Sequence, residues 1–159
     1  MTVAPLVPIE DLPKLLAPEA RLLGLDVGTK TIGLALSDVT RSIATPYHTV
    51  RRTKFAQDAK LIQEAIEQHQ VGALVIGLPI NLDGSEGRRA QSTRAFARNL
   101  AARIDVPLAF WDERLSTAAV ERHLIEAGAS RQRRAQVIDR MAAAYILQGA
   151  LDRLKRLTA

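Results

Sequence analysis

The sequence contains no cysteine and only three histidines. The absence of cysteine excludes disulfides, thiolate zinc sites and cysteine nucleophiles, and it suits a reducing compartment. His48, His69 and His123 are scattered through the chain without the spacing of metal ligands. The composition therefore argues against an imidazole-rich zinc site as well.

Long apolar runs are also missing. The longest run, from Val71 to Ile80, is interrupted by Gly72, Gly77 and Pro79. It is far shorter than the roughly 18 residues that a membrane helix needs. The amino terminus lacks the positive segment and apolar core of a secretory signal. These absences predict a soluble, cytoplasmic protein that does not associate with a membrane.

The length of 159 residues fits one compact domain. Hydrophobic residues make up 47% and charged residues 25%, which excludes disorder or a fibrous architecture for the whole chain. Four of the seven prolines, Pro5, Pro8, Pro13 and Pro18, fall within residues 1–20. Their spacing forbids a long helix. We therefore predict a proline-rich, loosely attached extension over residues 1–20 and a single folded domain over residues 21–159.

The charge is biased towards basic residues, with 22 lysines and arginines against 17 acids and a net charge of +5. Such a bias is compatible with an ordinary basic surface and with a polyanionic partner. Arginine predominates in the basic clusters, and its planar fork matches phosphate geometry. The first cluster contains Arg88, Arg89, Arg94, Arg98 and Arg103 without an acid, the second contains Arg131, Arg133, Arg134 and Arg140, and the third contains Arg51, Arg52 and Lys54.

The hydrophobic pattern predicts an α/β fold. Strands are expected at 22–27, 31–37, 45–52, 73–78 and 107–111, and helices at 55–70, 90–104, 132–157 and from Ser116 towards Gly128. A turn at Gly28 joins the first two strands as a hairpin, whereas the later strands alternate with helices. This order predicts a mixed central sheet with three leading antiparallel strands, then parallel strands, flanked by helices.

Two carboxylates stand at the ends of predicted strands. Asp26 ends the first strand, and Glu113 follows the last one. A structural role would explain each of them, since Asp26 can bond the turn backbone and Glu113 can be the first exposed charge after its strand. A role in chemistry is the alternative explanation of their placement.

Asp139 interrupts an apolar stripe on the last predicted helix. The residues that share its helical face include Ala142, Ala143, Ile146 and Ala150. An ionised carboxylate buried there without a partner would be costly. An ion pair with Arg134 or Arg140 would compensate for that cost, and so would a functional role at a charged site.

Together, the three acids suggest a site for divalent cations in a basic protein. Carboxylate oxygens are ligands for Mg²⁺ or Mn²⁺, and a pair of such ions can activate water and stabilise the leaving oxygen of a phosphodiester. Gly33 and Ala35 give the second strand a small-residue face. We therefore expect the last helix to approach the sheet closely enough for Asp139 to reach Asp26.

Four segments of the chain carry a family resemblance. They are LLGLDVGTKTIGLALSD (22–38), VIGLPINLDGSEG (75–87), WDERLSTAAVERHL (111–124) and DRMAAAYILQGALD (139–152). In this order they resemble the YqgF/RuvX family, bacterial proteins of the ribonuclease H-like superfamily described as pre-16S rRNA nucleases and Holliday-junction resolvase-like proteins. The resemblance covers nearly everything from Arg21 onwards, and it implies a ribonuclease H-like fold and a metal-dependent nuclease.

The resemblance also implies roles for individual residues. By motif position, Asp26, Glu113 and Asp139 are the catalytic acids. They are expected to hold two divalent ions, either Mg²⁺ or Mn²⁺. A loop containing Gly77, Pro79, Asp83 and Gly84 is expected near the site. Substrate contacts follow from the motifs and from the first arginine cluster, so the expected nucleic-acid-binding residues are Lys30, Arg88, Arg89, Arg94, Arg114 and Ser116.

The leading hypothesis is a nuclease that cleaves structured RNA, processing precursor 16S rRNA ends in ribosome biogenesis. A Holliday-junction (branched DNA) resolvase is an alternative, because recognition of either nucleic acid begins with phosphate contacts. Resolution of a junction would favour a homodimer over a monomer. A non-catalytic nucleic-acid-binding module is a further alternative. The last alternative is phosphotransfer from ATP, because the turn 26–30 resembles the phosphate loop of actin-like kinases. Those kinases need two large domains around the nucleotide, and 159 residues provide one.

Overall fold

The computed structural model describes residues 4–115 and 131–158, with the backbone alone described over 131–140. The helix predicted to begin at Ser116 lies outside the described residues. None of the described helices combines the length and apolarity that a membrane span requires.

A five-stranded mixed sheet forms the centre of the molecule. Its strands are β1 (Arg21–Val27), β2 (Thr31–Ser37), β3 (Ala44–Arg51), β4 (Val71–Leu78) and β5 (Leu108–Asp112), in the spatial order β3-β2-β1-β4-β5. The pairs β1/β2 and β2/β3 are antiparallel, whereas β1/β4 and β4/β5 are parallel. The predicted mixed sheet is therefore confirmed, including its three leading antiparallel strands.

Helices cover both faces of this sheet. A 3₁₀ turn (Ile9–Asp11) leads into the short α1 (Leu12–Leu15), and the longer helices are α2 (Phe55–His69), α3 (Arg88–Ala101) and α4 (Arg131–Thr158). The observed ends of the longer helices differ from the predicted ends by three residues or fewer. Helix α2 ends where Gln70 adopts a left-handed conformation, with φ of 54°.

The alternating strand pattern divides the core into two layers. On one face the sheet packs against α2 and α3; the buried residues there include Leu23, Leu25, Ile32, Leu74, Ile62 and Leu100. On the other face it packs against α4; the buried residues there include Leu22, Val75, Trp111, Ala143, Leu147 and Leu151. Ile32 and Leu34 face α2 and α3 while Ala35 faces α4, as their alternation predicts.

Helix α4 lies unusually close to β1. A Cβ placed on Gly24 would be 2.8 Å from the Leu147 Cβ and 3.0 Å from the Ala143 carbonyl oxygen. Ala35 and Ala143 belong to the same buried cluster. The close approach expected from small residues is thus confirmed, although Gly24, which the sequence argument did not use, makes the tightest contact.

The amino-terminal extension is attached more firmly than its prolines suggest. Leu6 forms a parallel bridge with Leu108, and the Val7 N–H donates to the Leu108 carbonyl at 2.9 Å. Ile9 and Leu12 are buried in the same cluster as α4. The expected loose attachment is therefore wrong, because the apolar residues between the prolines supply core contacts and cover the edge of β5.

Candidate active site at the carboxyl ends of the central strands

The carboxyl ends of β1, β4 and β5 meet at one edge of the sheet because these three strands are parallel to one another. The last ladder pair of β1 and β4, Leu25 with Ile76, sets Asp26 beside Gly77. The Glu113 N–H donates to the Leu78 carbonyl at 3.1 Å, so Glu113 extends the line of β5 by one residue. The two acids predicted from the strand ends are thus brought to one edge of the sheet.

Asp26 and Glu113 also share the face that α4 covers. Leu22 and Gly24 face α4, and alternation along β1 places Asp26 on the same side. Ala109 and Trp111 face α4 as well, so Glu113 follows them two residues further on. Both acidic side chains are half-buried. Partial burial can shift the pKa of a carboxylate and still leave it accessible to a ligand.

Gly77 makes room for the Glu113 carboxylate. A Cβ placed on Gly77 would be 2.6 Å from Glu113 Oε1 and 2.5 Å from Ile146 Cδ1. A side chain there would displace the Glu113 carboxylate and the end of the Ile146 side chain. Gly77 lies in β4, whereas the family pattern had suggested a loop; Pro79, Asp83 and Gly84 do lie in the loop that follows.

The two acids interact electrostatically. Burial raises the pKa of Glu113 to about 7, and the negative charge of Asp26 is the next largest cause of that rise. Arg89 opposes the rise and Asp112 adds to it. Such a shift is typical of carboxylates gathered at a functional site.

Asp139 belongs to α4, and its side chain lies outside the described residues. Ile146 contacts the position of Gly77 near the carboxyl end of β4, whereas Leu154 and Thr158 line a cavity with Leu16, which lies against Gly72 at the amino end of that strand. Helix α4 therefore runs antiparallel to β4. Its amino-terminal residues extend towards the edge of the sheet that carries Asp26 and Glu113.

Position 139 lies beyond the point at which α4 contacts Gly24. Gly24 faces the helical turn between Ala143 and Leu147, with the Leu147 Cβ and the Ala143 carbonyl oxygen nearest. Position 139 comes one turn before Ala143, about 6 Å further along the helix. It therefore lies towards the edge of the sheet that carries Asp26.

A cleft of about 640 Å³ opens beside Glu113. Its lining residues include Pro79, Ile80, Asn81, Arg88, Arg89 and Arg114. The loop between β4 and α3 forms one wall, and its own hydrogen bonds fix it: the Gly84 N–H donates to Asn81 O at 2.8 Å and the Ser85 N–H donates to Asp83 Oδ1 at 2.9 Å. Gly84 has φ of 88°, a conformation that favours glycine. The cleft thus combines one half-buried carboxylate with a cationic rim.

Only some of the predicted nucleic-acid-binding residues line this cleft. Arg88 and Arg89 line the cleft, as does Arg114, whose guanidinium is held by Asp112 at 2.6 Å. Arg94 forms an ion pair with Glu86 at 2.6 Å and stacks on Phe110, and it lies outside the lining of the described cavities. Lys30 lies in the exposed turn after β1, and Ser116 is outside the described residues.

Comparison with known proteins gives the family. The model of the family described as "RuvX: Holliday junction resolvase" matches residues 20–153. This chain belongs to the RuvX family. The resemblance seen in the four segments is confirmed, and with it the expected enzyme class, a nuclease that hydrolyses phosphodiester bonds.

Curated RuvX relatives match over most of the chain. A protein of Methylocella silvestris named "Putative pre-16S rRNA nuclease" is 58% identical over 156 residues, which are 98% of this chain and 97% of the relative. A protein of Paramagnetospirillum magneticum with the same name is 64% identical over 137 residues, covering 86% and 88%. The first match includes most of the amino-terminal extension, which the RuvX family model does not reach.

Solved structures show the fold of this RuvX protein. The yeast mitochondrial Holliday junction resolvase Ydc2 aligns with a TM-score of 0.55 at 13% identity, covering 94% of this chain and 84% of its own. Thermus thermophilus RuvC, solved in complex with a Holliday junction substrate, aligns with a TM-score of 0.50 at 13% identity, covering 85% and 96%. The predicted ribonuclease H-like α/β fold is thereby confirmed.

Proposed function

We propose that this protein is a metal-dependent nuclease that cleaves structured RNA and processes the ends of precursor 16S rRNA in the cytoplasm. One observation carries the proposal: Asp26 and Glu113 converge within electrostatic range beside an arginine-rimmed cleft. Acidic residues that could serve as ligands thus lie next to cations that could bind the flanking phosphates. The name shared by the curated relatives supports the choice of RNA.

The residues present fit one or two Mg²⁺ or Mn²⁺ ions. Two carboxylates that repel each other strongly enough to raise a pKa would be relieved by a divalent cation, and oxygen is the donor that these ions prefer. Asp26, Glu113 and Asp139 would hold the metal. When bound, it would supply Lewis-acid stabilisation of the charge that develops on the phosphodiester. Fewer than three clustered ligands are found among the described side chains, which do not include Asp139.

The remaining residues would bind and orient the substrate. Arg88 and Arg89 stand at the start of α3 and rim the cleft, where their guanidinium groups would hold backbone phosphates. Asp112 fixes the Arg114 guanidinium through bonds from Nε and Nη2, so Arg114 would contact substrate in a defined orientation. Lys30, Arg94 and Ser116 complete the proposed contacts on the strength of the family motifs.

A cleavage assay tests this function. A transcript spanning the ends of precursor 16S rRNA is incubated with the protein and Mg²⁺ or Mn²⁺. Cleavage should disappear with a chelator and should fall by at least about a hundredfold, or about 2.7 kcal/mol, in Asp26→Asn and Asp139→Asn. Asp152→Asn, an exposed acid on the same helix as Asp139, is the matched control. Unchanged processing by Asp26→Asn would instead mean that the metal mechanism is wrong. Binding of the transcript without cleavage by the unsubstituted protein would support the non-catalytic binding module.

Resolution of branched DNA is the second candidate function, because the matching family model carries that description. A four-way DNA junction assayed beside the transcript separates the two substrates. Junction resolution also needs paired cuts, so it would be accompanied by a homodimer in light scattering. Cleavage of the transcript by a monomer, with the junction left intact, would reject this alternative.

A further inference from the structure

A second cavity lies on the other side of the two arginines that rim the active-site cleft. Its volume is about 230 Å³, and it is lined by residues of the β1–β2 turn, the end of β3 and the first turns of α3. Thr29, Arg52, Arg88, Arg89 and Ser92 supply its polar lining, and no carboxylate is among its lining residues in the described part of the chain. Because Arg88 and Arg89 line both cavities, the two form a continuous cationic surface.

Arg52 is held in place at this cavity. Its Nη1 donates to the Gly28 carbonyl at 2.7 Å, and its guanidinium carbon lies 5.4 Å from the centre of the Phe96 ring. Its backbone N–H donates to the Lys30 carbonyl at 2.9 Å. A guanidinium fixed by a carbonyl and an aromatic face keeps its other N–H groups for a ligand and loses little side-chain entropy on binding.

The contrast with other arginines identifies the kind of ligand. Arg94 and Arg114 each have a carboxylate partner at 2.6 Å. Three arginines line this cavity, and the charge of one of them, Arg89, also acts on Glu113 in the neighbouring cleft. A bound anion would relieve the repulsion between the three positive charges. Hydroxyl groups at Thr29 and Ser92 offer additional hydrogen bonds. Guanidinium forks with hydroxyls are a donor set suited to a phosphate group.

We propose that the cavity at Arg52 binds a backbone phosphate of the nucleic acid, adjacent to the stretch of strand held in the cleft at Glu113. This inference rests on the proposed function, since it assigns a second contact to the same substrate. The strand crosses Arg88 and Arg89, which contact it from both cavities. Arg52 is then a binding residue that fixes the register of the strand relative to the acids.

The test measures binding without cleavage. A fluorescein-labelled RNA stem-loop with single-stranded tails is titrated in the presence of chelator, by anisotropy, over a series of KCl concentrations. Arg52→Ala should weaken binding several-fold and reduce the slope of log K against log salt by about 1. Arg51→Ala removes the same charge at the adjacent exposed residue outside the cavity, and it should leave that slope unchanged.

Arg52→Ala also removes the hydrogen bond to the Gly28 carbonyl, so it could weaken binding by disturbing the fold. A second pair of variants therefore tests the cavity without changing Arg52. Ser92→Glu introduces a carboxylate at an exposed position of the cavity lining, and Gln91→Glu introduces the same charge at the neighbouring exposed position outside it. Ser92→Glu should weaken RNA binding more than Gln91→Glu. Equal effects of the two substitutions would overturn the proposal.

The outcomes also separate this inference from the proposed function. Metal-dependent cleavage together with unchanged binding by Arg52→Ala and Ser92→Glu would reject the phosphate site and leave the nuclease intact. Weakened binding by both variants, in a protein that cleaves no substrate, would support the phosphate site and reject the nuclease. Displacement of the RNA by stoichiometric ATP would assign the cavity to a nucleotide and overturn the proposal.

Discussion

Glu113 is the residue at which burial and charge act most strongly together. Burial disfavours its ionised form, and Asp26 adds a second penalty through like-charge repulsion. Arg89, from the rim of the cleft, reduces both effects without cancelling them. The side chain is thus maintained in an environment that favours either a proton or a cation, and the proton has to leave before a metal can bind there.

The raised pKa of Glu113 predicts a pH dependence of stability in the metal-free protein. The pKa of Glu113 is about 7 in the folded state against 4.5 for an ordinary glutamate, so between these two pH values the folded state binds more protons than the unfolded state. The free energy of unfolding should therefore fall as the pH rises through this window, by at most about 1.4 kcal/mol per pH unit. The fall should level off above about pH 8, where Glu113 is ionised in the folded state as well.

Urea unfolding in chelator from pH 4.5 to pH 8 measures the effect, and Glu113→Gln is the reference because it cannot ionise. The difference in unfolding free energy between the two proteins should follow the predicted fall. A difference that stays constant over the whole range would mean that Glu113 has an ordinary pKa.

The space at Gly77 should be needed to position the Glu113 carboxylate. Replacement of Gly77 by alanine puts a methyl group 2.6 Å from Glu113 Oε1 and 2.5 Å from Ile146 Cδ1. The carboxylate has to move, and a displacement of about 1 Å can reduce catalysis by about a hundredfold. Cleavage per folded molecule should therefore fall steeply in Gly77→Ala. The control is Gly72→Ala on the same strand, where the added methyl group crowds Ala20 and Leu16 instead; it should lower stability and leave cleavage unchanged.

At the scale of elements, the contact between α4 and β1 sets how close the backbone of the helix that carries Asp139 lies to the sheet. Gly24 lets the helix backbone approach to the distance at which a Cβ would be 3.0 Å from the Ala143 carbonyl oxygen. Gly24→Ala should therefore push α4 away from the sheet, at a cost of about 1 to 3 kcal/mol in the free energy of unfolding. Gly87→Ala, whose added methyl group would be no closer than 3.4 Å to Asn81, should cost less, about 1 kcal/mol or below, because it only replaces glycine at the N-cap of α3.

Trp111, the single tryptophan, provides the probe for both variants, since it is buried against α4. Its fluorescence during urea unfolding gives the two free energies. Equal stability of Gly24→Ala and Gly87→Ala would show that the helix adjusts without cost and that the close approach does not constrain it.

The elements themselves were largely predictable because their patterns are local. The alternation of Ile32 with Gly33 and the helical spacing of Ile62 and Ile66 each follow from a few consecutive residues, and the sheet faces were predicted with them. The pairing of β1 with β4, and the Gly24 contact, join residues far apart in sequence. Local pattern contains little information about such contacts, so the role of Gly24 required the structure.

The candidate site was predictable in part for the same reason. Asp26 and Glu113 are recognisable because a charge ends an apolar strand, and parallel strands bring such ends together. Arg52 lacks such a signal, since its position depends on the Gly28 carbonyl and on Phe96 from α3. Nor does the arginine pattern distinguish Arg94, which pairs with Glu86, from Arg88 and Arg89, which rim the cleft.

At the scale of the whole molecule, the amino-terminal extension acts as part of the core. Leu12 is 0% exposed and packs in the cluster that contains α4, while Leu6 pairs with β5 and covers the edge of that strand. An uncovered edge strand invites pairing with other chains. The extension therefore contributes to the stability of the layer that contains α4, the helix of Asp139. It does so from outside the proposed active site.

This arrangement predicts that two neighbouring leucines of α1 differ sharply. Leu12→Ala removes a fully buried side chain and should reduce the free energy of unfolding by about 2 to 5 kcal/mol. Leu15 is 50% exposed, so Leu15→Ala should cost about 0.5 kcal/mol or less. Urea unfolding followed by Trp111 fluorescence measures both, because Leu12 and Trp111 belong to the same cluster. Equal costs for the two substitutions would place the extension outside the cooperative unit, and removal of residues 1–16 would then leave both stability and cleavage unchanged.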